Sequence, residues 1–316
     1  MRQRQNFVLP SITSTYAGEA AGKYIAAALL SAKTLDQEAV SIMPNVKYKS
    51  VVQKLDVSGI IHDASCDFTN SGSVALSERI LEPKELQVNL ELCKSEFVSS
   101  WEALQLGYSA FDEIPASFND FLVSYVGGKV AEATETSIWQ GVNATNGEFG
   151  GFEANISASA AAGGAGDAIQ SAASGSITSA NVIAKLEALE TAIPNTVYGK
   201  EDLVIYVPTN VVKAYQQALG TIGTSNGYNA MATVGAKPLD YNGIPLQHCP
   251  GMSNSTMIAA QKSNLFFGTG LLSDYNEVRV LDMADLDGSQ NYRIIMRYTA
   301  GTQTGINSDI AIHIPS

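Results

Sequence analysis

Two segments of the chain alternate apolar and polar residues, a pattern typical of half-buried β-strands. One runs strictly from Leu86 to Leu92, and the other begins with Val51, Leu55 and Val57. The segments are about thirty residues apart, whereas tight hairpin loops have roughly two to five residues. We therefore expect them to form the two sides of a projecting arm. An isolated two-stranded ribbon is only marginally stable, so this arm should lie on a neighbouring molecule.

A period of three to four residues predicts a long helix over 115–140. Pro115 suits a first helical turn, and Gly141 suits a C-terminal cap. At 1.5 Å per residue this helix would be about 38 Å long. The residues expected on its apolar face are Phe118, Phe121, Leu122, Tyr125, Val126, Val130, Ala133 and Ile138.

Other helices and loops are predicted on both sides of this helix. Small residues over 15–30 predict a short helix, and the stretch 154–173, rich in Gly, Ala and Ser, predicts a loop. Helices are expected over 178–193, with Ser179 as N-cap, and over 209–219. A loop rich in Gly, Ser and Asn should follow the second of them.

The second half of the chain also carries most of the predicted strands. The apolar run Leu203–Val207 is typical of a buried central strand. Helices on both sides of such a strand need a sheet on which to pack, so the fold class is α+β. Further strands are expected over 243–249, 256–260, 265–267 and 309–314, with a pair over 277–283 and 291–298.

Composition excludes several classes of protein. The 316 residues are 45% apolar and 16% charged, so the chain is too apolar to be disordered, and its length suggests about two domains. With 19 Lys and Arg against 31 Asp and Glu, the net charge of −12 disfavours sequence-specific nucleic-acid binding. Residues 1–50 carry six basic and three acidic side chains, whereas 101–176 carry only Lys129 against nine acidic ones. The acidic stretch is either ordinary solvated surface or a surface that faces DNA without binding it.

Residue types that support catalysis or metal binding are few and scattered. The three histidines have no second histidine or carboxylate at the spacing of metal ligands, and the three cysteines form no C-x-x-C pair. These residues are His62, His248, His313, Cys66, Cys93 and Cys249. His248 and Cys249 are adjacent, but neighbours on a strand point to opposite faces. No catalytic, cofactor-binding or metal-binding residue is therefore predicted, and we interpret the chain as non-enzymatic.

Calcium, membrane and export signals are also missing from the sequence. An EF-hand-type loop with Gly288 at its sixth position would place Ile294 where a glutamate is needed, so the Asp282–Gly288 segment is predicted to be a hairpin turn. The sequence contains no uninterrupted run of about 18 apolar residues, so no membrane-spanning helix is predicted. The N-terminal basic residues precede no apolar stretch, so no signal peptide is expected.

The order of these elements resembles the Hong Kong 97-type capsid fold. That fold belongs to the major capsid proteins of tailed double-stranded DNA phages, and encapsulins share it. The resemblance covers nearly the whole chain and rests on element order and spacing. It is carried by an N-terminal arm, the β excursion ending in 82–90, the long helix, the strand-to-helix step 203–210, and the strand 241–246 before the final paired strands.

The resemblance implies an N-terminal arm over 1–45, an extended β-hairpin or E-loop over 46–98, a P-domain around the long spine helix, and an axial A-domain. The P-domain would comprise 99–177 and 276–305, and the A-domain 178–275 and 306–316. It also implies a structural subunit that assembles in the host cytoplasm into hexamers and pentamers of an icosahedral virion shell around double-stranded DNA. The implied partners are copies of the chain itself, with portal, scaffold and decoration proteins as candidates and with DNA contacted only nonspecifically; no membrane partner is implied.

Some members of this family crosslink covalently, joining an E-loop lysine to a P-domain asparagine. Lys54 lies in the expected E-loop, but nothing singles out an asparagine, so noncovalent assembly is expected. Only about a hundred residues precede the long helix, so no internal scaffold segment is expected. Two alternatives stay open: an encapsulin shell that packages protein cargo, and a soluble α+β ligand-binding protein or enzyme.

Overall fold

The structure is a computed structural model that describes residues 11–17, 32–46, 48–61, 63, 72–93, 116–162, 167–172, 175–221, 239–270, 277–284 and 288–315. Within these ranges the α-helices are α1 Lys33–Asp36, α2 Ala116–Gln140, α3 Phe152–Ala162, α4 Val182–Ala192 and α5 Thr209–Thr221. Single 3₁₀ turns lie at Lys262–Asn264 and Asn307–Asp309.

The strands of the described residues form two six-stranded sheets and a two-stranded ribbon. The first sheet has the order β1-β12-β13-β11-β2, with β5 also paired to β13; the second has the order β6-β14-β10-β7-β9-β8; the ribbon is β3-β4. The strands are β1 Ser11–Ala17, β2 Ser41–Met43, β3 Ser50–Ser58, β4 Ser73–Leu81, β5 Lys84–Cys93, β6 Ile169–Gln170, β7 Leu203–Val207, β8 Asp240–Tyr241, β9 Ile244–His248, β10 Met257–Gln261, β11 Leu265–Thr269, β12 Glu277–Asp282, β13 Asn291–Thr304 and β14 Ala311–His313.

Strand β7 is buried along its whole length because its sheet is covered on both faces. Leu203, Ile205 and Val207 belong to a core shared with helices α4 and α5. Val204 and Tyr206 belong to a larger core on the other face, shared with α2, α3 and the first sheet. This division explains the continuous apolar run and confirms the predicted central strand.

Helix α2 confirms the predicted long helix, with 25 residues ending at Gln140. Val126, Val130 and Ile138 are buried as expected. Tyr125 and Ala133, in contrast, are exposed, so this part of the predicted apolar face is wrong. Trp139 is buried instead, with ring centroids 5.5 Å from Phe152 and 5.2 Å from Tyr206. The side chains of Phe118, Phe121 and Leu122 lie outside the described residues.

The predicted pairing of the arm is wrong, although both of its strands exist. Strand β3 pairs with β4 in register from Ser50–Leu81 to Ser58–Ser73. The alternating segment 86–92 lies in β5, which pairs with β13 in the first sheet. The register runs from Lys84 opposite Ala300 to Cys93 opposite Asn291. Alternation reports that one face of a strand is buried, but it does not identify the strand's partner.

Two stretches of small residues were also assigned wrongly. The expected loop over 154–173 contains most of helix α3, because alanine is the strongest helix former and Phe152, Ile156 and Ala160 recur every four residues on a buried face. Residues 15–17 of the expected helix over 15–30 belong to strand β1, which pairs with β12. The rest of that segment and residues 222–235 of the expected loop lie outside the described residues.

The remaining elements follow the predictions closely, with differences at helix ends. Helix α4 begins at Val182, so Ser179 is not its N-cap; Asn181 precedes it and accepts the Thr178 amide at 2.7 Å. Helix α5 continues one residue past Gly220. The short strands and the β12–β13 pair are confirmed.

We expect Gly251→Ala to destabilise the fold. A Cβ at Gly251 would lie 2.1 Å from the carbonyl oxygen of Glu135 in helix α2, so the loop after β9 would have to leave the helix. Forced overpacking of this kind lowers the free energy of unfolding by about 1–3 kcal/mol or more. The matched control is Gly128→Ala in the same helix, where a Cβ meets nothing within 4 Å. Thermal unfolding should separate the two variants, and equal melting temperatures would contradict the prediction.

Candidate functional site

The β3–β4 ribbon presents apolar side chains to solvent. Val51 lies opposite Ile80, and their side chains are 48% and 51% exposed; Leu76, two strand repeats further along the same face, is 58% exposed. The register continues this row of positions with Leu55 opposite Leu76 and Val57 opposite Val74. Partners in an antiparallel pair share a face, so these positions form one row, in which the described side chains of Val51, Leu76 and Ile80 are not covered by the core.

Two more exposed apolar side chains follow the end of β3. Ile60 and Ile61 are 60% and 91% exposed, in the connection that follows the strand. The interruption in the row is the pair Gln53–Glu78, joined by a 2.9 Å hydrogen bond. An exposed apolar surface bordered by polar groups is typical of a protein interaction site.

Only the base of the ribbon is anchored to the body within the described residues. Leu81 is fully buried, and Arg79 Nη1 donates to Thr304 Oγ1 at 3.1 Å. Lys49 and Glu82 form an ion pair of 3.1 Å across the two strands' ends, and Glu82 raises the pKa of the Lys49 ammonium. Both of these charged groups are solvated, so the pair contributes little to stability.

A buried polar junction fastens helix α1 to helix α2. The Thr34 amide and hydroxyl donate to the two carboxylate oxygens of Glu135, at 2.9 Å and 2.6 Å. Trp139 Nε1 donates to Thr34 Oγ1 at 2.9 Å. Each buried polar group in this cluster has a partner, which removes the penalty of burying it. The segment that leads out of the N-terminal region is therefore fixed to the body at Thr34.

His248 extends this junction to helix α5. Its Nδ1 lies 2.7 Å from Lys33 Nζ, and its Nε2 lies 2.8 Å from Thr209 Oγ1. An ammonium can only donate, so Nδ1 is the acceptor and Nε2 carries the proton towards Thr209. Burial and the Lys33 charge both lower the pKa of His248. The neutral imidazole thus joins α1, β9 and α5.

The other residues considered as catalytic candidates have structural roles where they are described. His313 is buried between the Ser171 hydroxyl at 3.1 Å and the Gly175 carbonyl at 3.2 Å. Burial raises the pKa of the Cys249 thiol, so it is a poor nucleophile. Asp282 accepts from the Tyr292 hydroxyl at 2.6 Å. His62, Cys66, Asp285 and Asp287 lie outside the described residues.

The described residues were also searched for metal-binding clusters and for membrane-spanning helices. Across them, no three side chains of His, Cys, Asp or Glu are grouped so that they could hold a metal ion. Nor does any described helix combine the length and hydropathy that crossing a membrane requires.

Part of the acidic stretch is internal. Glu135 and Glu153 are only 5% and 8% exposed, and Glu153 accepts the Ser253 amide at 2.7 Å. Burial raises the pKa of Glu153. Glu132 is exposed and pairs with Lys129 at 2.9 Å. The surface charge of 101–176 is therefore smaller than the composition suggests.

No protein-family model matches the chain, and no curated protein matches it either. Solved structures do match it. The capsid of a native GTA particle is 13% identical with a TM-score of 0.60, covering 100% of this chain and 95% of that one. The cyanophage A-1(L) capsid is 12% identical with a TM-score of 0.59, covering 98% of this chain and 96% of that one. The chain has the Hong Kong 97-type capsid fold.

This fold is found at lower similarity in another type of particle. A virus-like particle from Pyrococcus furiosus is 8% identical, with a TM-score of 0.50 over 94% of this chain and 98% of that one. The β3–β4 ribbon lies within the residues that the sequence analysis expects to form the E-loop, 46–98. Sequence analysis missed strand β4 and with it Leu76 and Ile80. The alternation of Val74, Leu76 and Ile80 with polar or small residues was the available signal.

We expect the stability of the protein to fall between pH 7 and pH 5 through His248. The folded state lowers the pKa of His248 below its ordinary value of 6.5, so the unfolded chain binds a proton that the folded chain excludes. Stability is therefore present above about 6.5 and is lost as the pH falls towards the folded pKa. Melting temperatures measured from pH 8 to pH 5 should drop less for His248→Gln than for the unmodified chain. Parallel curves for the two proteins would contradict this role.

Proposed function

We propose that the chain is the major capsid subunit of a tailed double-stranded DNA phage, which assembles into hexamers and pentamers of an icosahedral shell. The capsid fold and the exposed apolar row of the β3–β4 ribbon support this proposal. The ribbon row is the observation that carries it, because a surface of this kind needs a cover that the subunit's own core does not provide.

Burial of the row on a neighbour gives a source of assembly energy. Val51, Leu76 and Ile80 are each about half exposed, so covering each one contributes on the order of 1 kcal/mol. Every subunit donates one ribbon and receives one, which is a head-to-tail contact that closes into rings. Repetition around each ring turns a modest contact into a permanent interface, and such interfaces bury more than about 2,000 Å².

The strand pairings refine the proposed domains. The proposed E-loop is the ribbon and its connection, within 46–81, since β5 pairs inside the first sheet. The proposed P-domain comprises α2, α3 and the first sheet, and the proposed A-domain comprises α4, α5 and the second sheet. Residues 1–45 retain the proposed role of an arm, with β1 added to the edge of the first sheet.

The acidic stretch 101–176 is the proposed lining of the shell. Its one basic residue, Lys129, is paired with Glu132, so DNA phosphates meet no free cation there. Such a lining would hold packaged DNA without trapping it. The proposed location is the virion, with assembly in the host cytoplasm and with portal, scaffold and decoration proteins as proposed partners.

The expressed chain should form capsomers or shells that are visible by negative-stain microscopy. Leu76→Asp should reduce the particle yield on the order of tenfold or more, because it places a charge in the ribbon row. Leu76 is exposed, so the melting temperature of the subunit should not change. The matched control is Val142→Asp, at a similarly exposed apolar residue outside the ribbon.

The alternatives predict different results in the same experiment. A soluble binding protein or enzyme would stay monomeric at every concentration, and that outcome would refute the capsid proposal. An encapsulin would form shells, but its natural particles would contain a co-purifying protein instead of DNA.

Assembly should be noncovalent. Particles boiled in detergent should run as a single band of the monomer, because nothing in the sequence singles out an asparagine as a crosslinking partner for Lys54. Lys84, another lysine of the segment expected to form the E-loop, is held within its own subunit: its Nζ donates to the backbone carbonyls of Asn143, Thr145 and Glu148 at 3.0, 3.0 and 2.7 Å. A ladder of higher bands would disprove this prediction.

A further inference from the structure

The chain leaves the ribbon by crossing a bare patch of the first sheet. Gly268 of β11 and Gly301 of β13 are directly paired in the sheet register. Cross-strand partners lie on the same face, so the two missing side chains leave one flat area. We call the pair Gly268–Gly301 the glycine seat. The segment that lies on it is Leu81–Pro83, which ends β4 and leads into β5.

The fit at the seat is tight enough to exclude a methyl group. A Cβ at Gly268 would lie 2.6 Å from Leu81 Cδ2, and a Cβ at Gly301 would lie 2.9 Å from Pro83 Cα and 3.1 Å from the Glu82 carbonyl oxygen. The first neighbour is a side chain and can rotate. The second and third are backbone atoms, so the turn itself would have to move.

Polar contacts hold the ribbon base beside the seat. Gln303 Nε2 donates to the Ile80 carbonyl at 2.8 Å, and Arg79 Nη1 donates to Thr304 Oγ1 at 3.1 Å. Both partners on the body belong to β13, the strand that contains Gly301. These two polar contacts of the ribbon base are thus made to one short stretch of β13, beside the seat.

We propose that the glycine seat sets the direction in which the ribbon leaves the body, and so determines the size of the shell. Gly268 and Gly301 are then positioning residues for assembly, and the part concerning shell size rests on the proposed function. A ribbon of nine residues is about 30 Å long at 3.3 Å per residue. A tilt of about 10° at its base would move its end by about 5 Å, which is enough to displace the apolar row from any complementary surface.

Three variants test the seat. Gly301→Ala pushes directly on the turn backbone and should tilt the ribbon. Gly268→Ala should have a smaller effect, and adding Leu81→Ala should reverse it because that change removes the side chain that the new methyl meets. Gly128→Ala is the matched control, since its methyl meets nothing within 4 Å. Melting temperatures identify any variant that fails to fold.

The direct readout is the distance between spin labels in the full chain. Labels at Ser73→Cys, at the far end of β4, and at Ala133→Cys, on the exposed side of α2, report the ribbon direction. Cys66 and Cys93 are replaced by serine, and labelled chain is diluted into excess unlabelled chain. Gly301→Ala should shift this distance by several ångströms and change the diameter or uniformity of the particles, whereas Gly128→Ala should change neither.

The outcomes separate the two proposals. The proposal that the glycine seat sets the ribbon direction would be contradicted by an unchanged label distance in folded Gly301→Ala. It would also be contradicted if Leu81→Ala failed to reverse the effect of Gly268→Ala. A shifted distance with particles of unchanged size would overturn the link to shell size. A shifted distance in a chain that never assembles would support the seat and refute the capsid function instead.

Discussion

The buried indole of Trp139 is the contact through which the layers of this molecule become one body. Its ring lies against Phe152 of α3 and Tyr206 of β7, and its nitrogen donates to Thr34 of α1. Tyr206 in turn donates to the Ala39 carbonyl at 2.6 Å. Because the polar ends of both aromatic residues are paired, their large apolar surfaces can be buried without an unsatisfied group. Helices, second sheet and N-terminal segment are thereby locked in one arrangement.

Among the described residues, a body that is closed in this way leaves the apolar row of the ribbon without an internal partner. Both faces of the second sheet are covered, and β5 occupies the free side of β13. The apolar row of β3 and β4 therefore meets solvent in the isolated subunit. The same closed body holds the base of the ribbon, through the buried Leu81 side chain and the hydrogen bonds of Arg79 and of the Ile80 carbonyl.

The sequence predicted the elements of the body better than the contacts of the candidate site. Helix α2 was predicted from apolar residues spaced three to four apart, and strand β7 from a continuous apolar run that reflects burial on both of its faces. Helix α3 was missed because alanine-rich composition is shared by helices and flexible linkers. The partner of β3 was wrong because alternation encodes a face and not a neighbour, and the apolar row emerged only with the register of β4. Charge counting likewise could not reveal that Glu135 and Glu153 are internal.

Low identity to solved capsids follows from what the fold requires of each position. Most buried sites require only an apolar side chain of suitable volume, and many sequences satisfy that condition. Identities of 13% and 12% with nearly complete coverage are therefore compatible with one architecture. The glycine seat is different, because a methyl group cannot be accommodated beside backbone atoms. Other glycines, such as Gly251 against helix α2, are also sterically constrained, but the glycine seat lies where the arm meets the body, so a small displacement there moves the end of the arm furthest.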